Sequence, residues 1–280
     1  MFENQTIAFI GAGIMGEAMI RGLLTQEIVK PDQIIASDPW PERLEYLQGQ
    51  YGVQTTTDNT IAAETGQVIV LSIKPQSLDK VMPDVRGHLR RRDLLVSILA
   101  GVPIRKLADG MAHASVVRAM PNTPAQIGQG ITVWTATKEV EESHKQQAQA
   151  ILGSFGDQVF MEDERYLDMA TALSGTGPAY VFMVMEAMID AGVHLGFSRH
   201  IATKLVFQTM RGSVEYAAQS SKHVAELRNQ VTSPGGTTAS ALYHLEKGGL
   251  RTVLSRGIWA AYERSVELGR GQKEDHPQQS

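Results

Sequence analysis

Two stretches of the chain carry residue types at spacings that chemistry can use. The first is Gly11-Ala12-Gly13-Ile14-Met15-Gly16, a G-x-G-x-x-G run that follows an apolar segment and opens a helical one. In that context Gly11 permits a tight turn, Gly13 lets the backbone approach a pyrophosphate, and Gly16 lets helix and strand pack closely. Asp38 closes the second apolar segment, 22 residues after Gly16, where a carboxylate can take the hydroxyls of an adenosine ribose. By that rule Asp38 favours NAD over NADP, because it repels a 2′-phosphate. It can equally cap a helix beginning at Pro41, and Arg43 is the nearest cation that could swing in.

The second stretch is Asn229–Glu246, NQVTSPGGTTASALYHLE. Pro234-Gly235-Gly236 reads as a turn that only small residues permit, after which Thr237 or Thr238 caps a helix. Such a loop offers free backbone N–H groups and the positive end of a helix, which suits a small carboxylate. Hydroxyls flank it, Thr232 and Ser233 before and Thr237, Thr238 and Ser240 after, with no Arg, Lys or His among them. That set points to recognition more than to strong acid–base chemistry. A bare helix cap with a polar loop is the plainer alternative.

Further candidates stand where other apolar segments end, the place a doubly wound sheet keeps its ligands. Lys74 and Pro75 follow Val68–Ile73, Ala100 and Gly101 follow Leu94–Leu99, and Asn122 follows Ser115–Met120. Asn122 can bond a nicotinamide carboxamide or hold its own loop. Lys74 can reach a ligand or simply sit exposed. Asn59, starting a helix after Val53–Thr57, can cap it and also reach the adenosine side.

The elements that position these residues alternate along the first half. Strands are expected at Thr6–Ile10, Gln33–Ser37, Val68–Ile73, Leu94–Leu99, Ser115–Met120, Ile131–Ala136 and Gln158–Met161. Helices are expected between them at Ile14–Gln26, Pro41–Gln50, Gln76–Leu89, Pro103–Asp109 and Lys138–Leu152. Runs such as VIVLSI are apolar on both faces, as buried parallel strands must be. The alternation predicts a Rossmann-type, doubly wound parallel sheet over residues 1–162. Beyond it the strand signal stops, and residues 163–270 read as an all-helical domain. Its helix Ala179–His194, entered through Pro178, is apolar nearly all round, so a partner chain is expected to cover it. Glu186 and Asp190 on that helix read as buried polar positions bonded to neighbouring helices, with an acid–base pair as the alternative. The polar stretch 271–280 reads as a disordered tail.

The totals narrow the function further. A chain of 280 residues with 42% hydrophobic and 20% charged content suits a two-domain globular protein. A net charge of −4 leaves no footprint for nucleic acid or an anionic membrane surface. With no cysteine and eight histidines lacking ligand spacing, disulfides are excluded and no metal is expected. The N-terminus carries no charged-then-apolar leader, and Val68–Ile73 is too short for a membrane span, so a cytoplasmic location is expected.

The segments GAGIMG, SIKPQ, SILAG, RAMPNTPA, SGTGPAYVF, EAMIDAGVHLG and above all VTSPGGTTASALYHLE resemble, in this order, those of pyrroline-5-carboxylate reductases. The resemblance runs from about Thr6 to Gly269. It implies reduction of 1-pyrroline-5-carboxylate to L-proline with NADPH or NADH, and pairing through the C-terminal helices as a homodimer, often as a ring of dimers such as a decamer. It also implies a coenzyme site at Gly11–Gly16, Asp38, Asn59, Ile73, Lys74, Pro75, Ala100, Gly101 and Asn122. The substrate site then falls on Ser233, Gly235, Gly236, Thr237 and Thr238, with Thr238 offering its hydroxyl to the ring nitrogen. Asp38 departs from the Ser, Asn or Arg of many NADPH-preferring relatives. The rival readings are a β-hydroxyacid dehydrogenase, a non-catalytic dinucleotide sensor and a reductase of another cyclic imine. The first is disfavoured because Ala179–His194 holds no lysine to handle an alcohol proton.

Overall fold

The structure, a computed structural model, describes residues 1–271, and the expected disordered tail lies outside them apart from its first residue. In chain order the first part runs β1 (Ile7–Ile10), α1 (Ile14–Thr25), β2 (Ile34–Ser37), α2 (Pro41–Tyr51), β3 (Gln54–Thr56) and α3 (Asn59–Thr65). It continues with β4 (Val68–Leu71), α4 (Leu78–Val85), β5 (Leu94–Ser97), α5 (Ile104–Met111), β6 (Val116–Met120), β7 (Gly130–Ala136), α6 (Glu142–Gly153) and β8 (Gly156–Phe160). The helices α7 (Arg165–Ala170), α8 (Gly177–His194), α9 (Arg199–Ala218), α10 (Val224–Gln230), α11 (Thr237–Lys247) and α12 (Leu250–Gly269) complete it.

The eight strands form one sheet in the order β3-β2-β1-β4-β5-β6-β7-β8. The chain therefore leaves β1 in one direction and returns at β4 on its other side, which opens a crevice at the C-terminal ends of those two strands. Continuous apolar strands are buried on both faces, as expected: Phe9, Val70 and Val96 enter one core, and Ala8, Ile69 and Leu95 enter the other.

One expectation is corrected. β7 runs antiparallel to β6, pairing Met120 with Val133, and only β8 beside it is again parallel to its neighbour. The reason is connection length. Parallel neighbours need a crossover of roughly a dozen residues or more, whereas residues 121–129 hold no more than a short 3-10 turn at Thr123–Ile127.

The described chain divides into two units. One holds Met1–Thr176 with the stretch from Ala261 onward, and the other is Gly177–Ala260. Within the first, Arg118 is buried on β6 and donates to Glu164 at 2.8 Å and Asp168 at 3.1 Å. Glu164 also accepts from the Ile104 N–H, and Asp168 from the Ser265 hydroxyl. This network ties sheet, α5, α7 and the end of α12 together.

The second unit is helical and sparsely buried. α8 has no buried residue, and Phe182 and Met183 are 61% and 69% exposed. The expected burial of Glu186 and Asp190 does not occur within the chain: Glu186 is exposed, and Asp190 forms an open ion pair with Arg199 at 2.9 Å. By length and composition alone, the continuous helical stretch Arg165–His194 could also cross a membrane. A face that pairs with a second copy has the same composition.

Candidate functional site: a nucleotide cleft and an uncapped helix

The glycine loop takes the form its sequence demands. Gly11 has φ +90°, and a Cβ there would lie 2.7 Å from Ile73 Cγ2, so only glycine fits. A Cβ on Gly16 would meet the Gly11 carbonyl at 2.7 Å, whereas one on Gly13 would meet open space, the side from which a ligand can approach. The Ser72 hydroxyl donates to the Gly11 carbonyl at 2.6 Å and locks β4 to the loop.

The crevice above β1 and β4 is a cleft of about 850 Å³. Gly11, Gly13, Ile14, Asp38, Asn59, Ile73 and Lys74 line it, together with Trp40, Arg43 and Lys80. Ala12 is buried behind the loop, Gly16 packs against Gly11, and Met15 packs on the core beneath. Pro75 stands beside Lys74 at the start of a 3-10 turn. Ala100, Gly101 and Asn122 do not line this cleft, but they follow the C-terminal ends of β5 and β6 on the same edge of the sheet.

Several side chains have roles that spacing did not reveal. Asp38 accepts from the Ala12 N–H at 3.0 Å and the Trp40 N–H at 3.1 Å, and it is 9% exposed. It makes a turn before α2 and holds the glycine loop; Trp40, not Asp38, is the N-cap residue of that helix. Asn59 is not a cap either, since Asp58 caps α3 by accepting from the Thr60 N–H. Asn59 instead accepts from the Ser37 hydroxyl at 2.8 Å and donates to Asp84 at 3.0 Å, which pins the floor of the cleft.

Asn122 accepts from the Ile131 N–H at 2.9 Å and donates to the Ser174 carbonyl at 3.2 Å. Four residues beyond Ser174 stands Pro178, which has no N–H to give that carbonyl. Asn122 supplies that carbonyl with a donor that Pro178 cannot, beside a π-helical turn at Thr171–Gly175. Of the two roles open to Asn122, the structure displays the loop-holding one.

In the helical unit, Gly235 has φ +68°, and a Cβ on Gly236 would collide with Ser233 Oγ. The expectation that Thr237 or Thr238 caps α11 is corrected: Gly236 is the N-cap residue and no side chain caps the helix. The two threonines occupy the first helical positions, because the Gly235-Gly236 turn carries the chain straight into the helix. The first-turn N–H groups are therefore left for another acceptor. Thr232 turns its hydroxyl back onto the Arg228 carbonyl at 2.8 Å. Among the described residues the hydroxyls of Ser233, Thr237, Thr238 and Ser240 have no hydrogen-bond partner.

A glycine-looped crevice at the switch point of a doubly wound sheet, followed by a helical unit, defines a dinucleotide-binding protein of the Rossmann class. Comparison with known proteins narrows the class. A family model described as pyrroline-5-carboxylate reductase dimerisation matches residues 164–268, and one described as NADP oxidoreductase, coenzyme F420-dependent, matches residues 6–101. The chain is 40% identical to the pyrroline-5-carboxylate reductase of Synechocystis sp. over 94% of its own length and 98% of that protein. It is likewise 40% identical to the Pseudomonas aeruginosa reductase, covering 95% of this chain and 97% of that one. The crystal structure of Plasmodium falciparum pyrroline carboxylate reductase with NADP bound superposes with a TM-score of 0.88 at 34% identity, covering 96% of this chain and 100% of that one. The chain belongs to the pyrroline-5-carboxylate reductase family.

Proposed function

We infer that the protein reduces 1-pyrroline-5-carboxylate to L-proline with NADPH or NADH, the closing step of proline biosynthesis, in the cytoplasm. The carrying observation is the uncapped N-terminus of α11, with free hydroxyls around it and a conformationally fixed Gly235-Gly236 turn before it. The substrate is a cyclic imine bearing a carboxylate, and this loop suits both groups. The N–H groups of Thr237, Thr238 and Ala239, at the positive end of the helix, bind the carboxylate. Ser233 and Thr237 add hydroxyl donors beside it. Thr238 holds the ring nitrogen through its hydroxyl. Bound coenzyme supplies the hydride that the imine carbon receives. Water can protonate an imine near neutrality, so no histidine or carboxylate acid is needed, and rate enhancement comes from positioning and from excluding solvent.

The coenzyme site we assign is Gly11–Gly16, Asp38, Asn59, Ile73–Pro75, Ala100, Gly101 and Asn122. Seven of these residues share the cleft, and the free approach to Gly13 supports it as the pyrophosphate contact. Residues 1–162 then serve the coenzyme and 163–270 serve substrate and pairing, with dimers able to assemble further into a ring.

The test compares 1-pyrroline-5-carboxylate with 1-pyrroline, which lacks the carboxylate. Turnover with the former and a kcat/KM about 100-fold lower with the latter is expected, as for loss of a charge-assisted set of hydrogen bonds. Equal turnover of both would remove the carboxylate cradle from the account.

A further inference from the structure

Resting on the coenzyme reading above, one feature of the cleft bears on which coenzyme is taken. Asp38 is the residue whose type argues against a phosphorylated ribose. Both of its oxygens are nevertheless occupied, Oδ2 by the Ala12 N–H and Oδ1 by the Trp40 N–H, and the side chain is almost wholly buried. It is committed first to shaping the loop, although each oxygen keeps a second lone pair and the residue lines the cleft.

Arg43 lines the same cleft from the first turn of α2. Its Nε donates to the Ala12 carbonyl at 2.7 Å and its Nη2 to the Gly13 carbonyl at 3.5 Å, with Nη2 also paired to Glu17. Its guanidinium carbon stands 5.2 Å from the centre of the Tyr46 ring. Tyr51 donates to the other oxygen of Glu17 at 2.7 Å and fixes that carboxylate. The guanidinium is thus immobilised before any ligand arrives, while Nη1 has no hydrogen-bond partner among the described residues. Lys74 and Lys80 add two further cations to the lining. A rigid guanidinium with one open donor edge, next to a loop that binds the nucleotide, matches a phosphate oxygen.

We propose that Arg43 is the ligand of the adenosine 2′-phosphate, so that the protein takes NADPH in spite of Asp38. Glu17 and Tyr51 are positioning residues that hold Arg43 in place.

The experiment measures binding of 2′,5′-ADP and of 5′-AMP by isothermal titration, to the full chain and to Arg43→Gln and Arg43→Lys. The wild type is expected to bind 2′,5′-ADP about 10- to 100-fold more tightly than 5′-AMP. Arg43→Gln should erase that ratio while leaving 5′-AMP affinity within about 3-fold, and Arg43→Lys should keep part of it. In turnover, the NADPH-to-NADH ratio of kcat/KM should fall by the same factor, through loss on NADPH alone. An equal loss for both nucleotides in Arg43→Gln would assign Arg43 to the loop only and overturn the proposal. So would a wild type that does not discriminate between them. Failure of the wild type to bind either nucleotide would fell the coenzyme reading itself, a result separate from both.

Discussion

The two units of this molecule bury their apolar residues in opposite ways. In the nucleotide unit β1, β2, β4 and β5 are buried along their whole length, and even its charged Arg118 is enclosed and paired. In the helical unit α8 and α11 have no buried residue, and α9 has only Ala202 and Val206. The first unit closes its own core within one chain. The second displays a core's composition on its surface, and the dimerisation segment matched at residues 164–268 says what that surface is for.

The largest effect should come from breaking the open face. Met183→Glu places a charge on an apolar helix, and in a two-fold pair each change counts twice. At about 2 kcal/mol per lost apolar side chain, the dimer dissociation constant should rise about 1,000-fold, seen by sedimentation as a monomer with unchanged helix content.

Thr238→Ala tests the loop within the same unit. Activity should fall about 10- to 1,000-fold with coenzyme affinity unchanged, because one hydroxyl donor is lost while the N–H groups remain. Complete loss would make Thr238 an obligate acid.

In the closed unit Arg118→Met should cost about 2–3 kcal/mol of stability, read as a lower denaturation midpoint. It leaves two carboxylates unpaired, although Glu164 keeps a third of its side chain in solvent. Oligomerisation should not change.

The smallest effect concerns Glu17. Burial alone would raise its carboxyl, but the hydrogen bonds from Arg43 and Tyr51 overcome this and hold it below its ordinary value of 4.5. The stability this adds is fully present above that value and is lost as pH falls through the lowered one. Glu17→Gln should flatten this part of the acid limb of a stability-against-pH curve. The Tyr51 hydroxyl, pushed up to about 12 by burial and by Glu17, stays a donor throughout that range.

The same contrast governs what could be read from the sequence. The sheet was legible because two-sided burial leaves continuous apolar runs such as VIVL, and the glycine fingerprint because its strand and helix stand directly on either side. The direction of β7 was not, since apolar pattern is blind to strand polarity and only the short 121–129 connection decides it. Capping roles slipped by one residue, to Asp58 in place of Asn59 and to Gly236 in place of the threonines. Neighbouring polar residues satisfy the same local rule equally well. Apart from the local Asp38–Trp40 turn, the duties of Asp38, Arg43 and Asn122 depend on partners 9 to 52 residues away, which no local spacing reveals.

The most direct measurement follows oxidation of NADPH and of NADH, separately, by the purified protein with 1-pyrroline-5-carboxylate, and identifies proline in the product. Turnover with proline formed is predicted, with NADPH the better donor. Tight coenzyme binding with no turnover of either would contradict the account, leaving a nucleotide-binding fold whose substrate lies elsewhere.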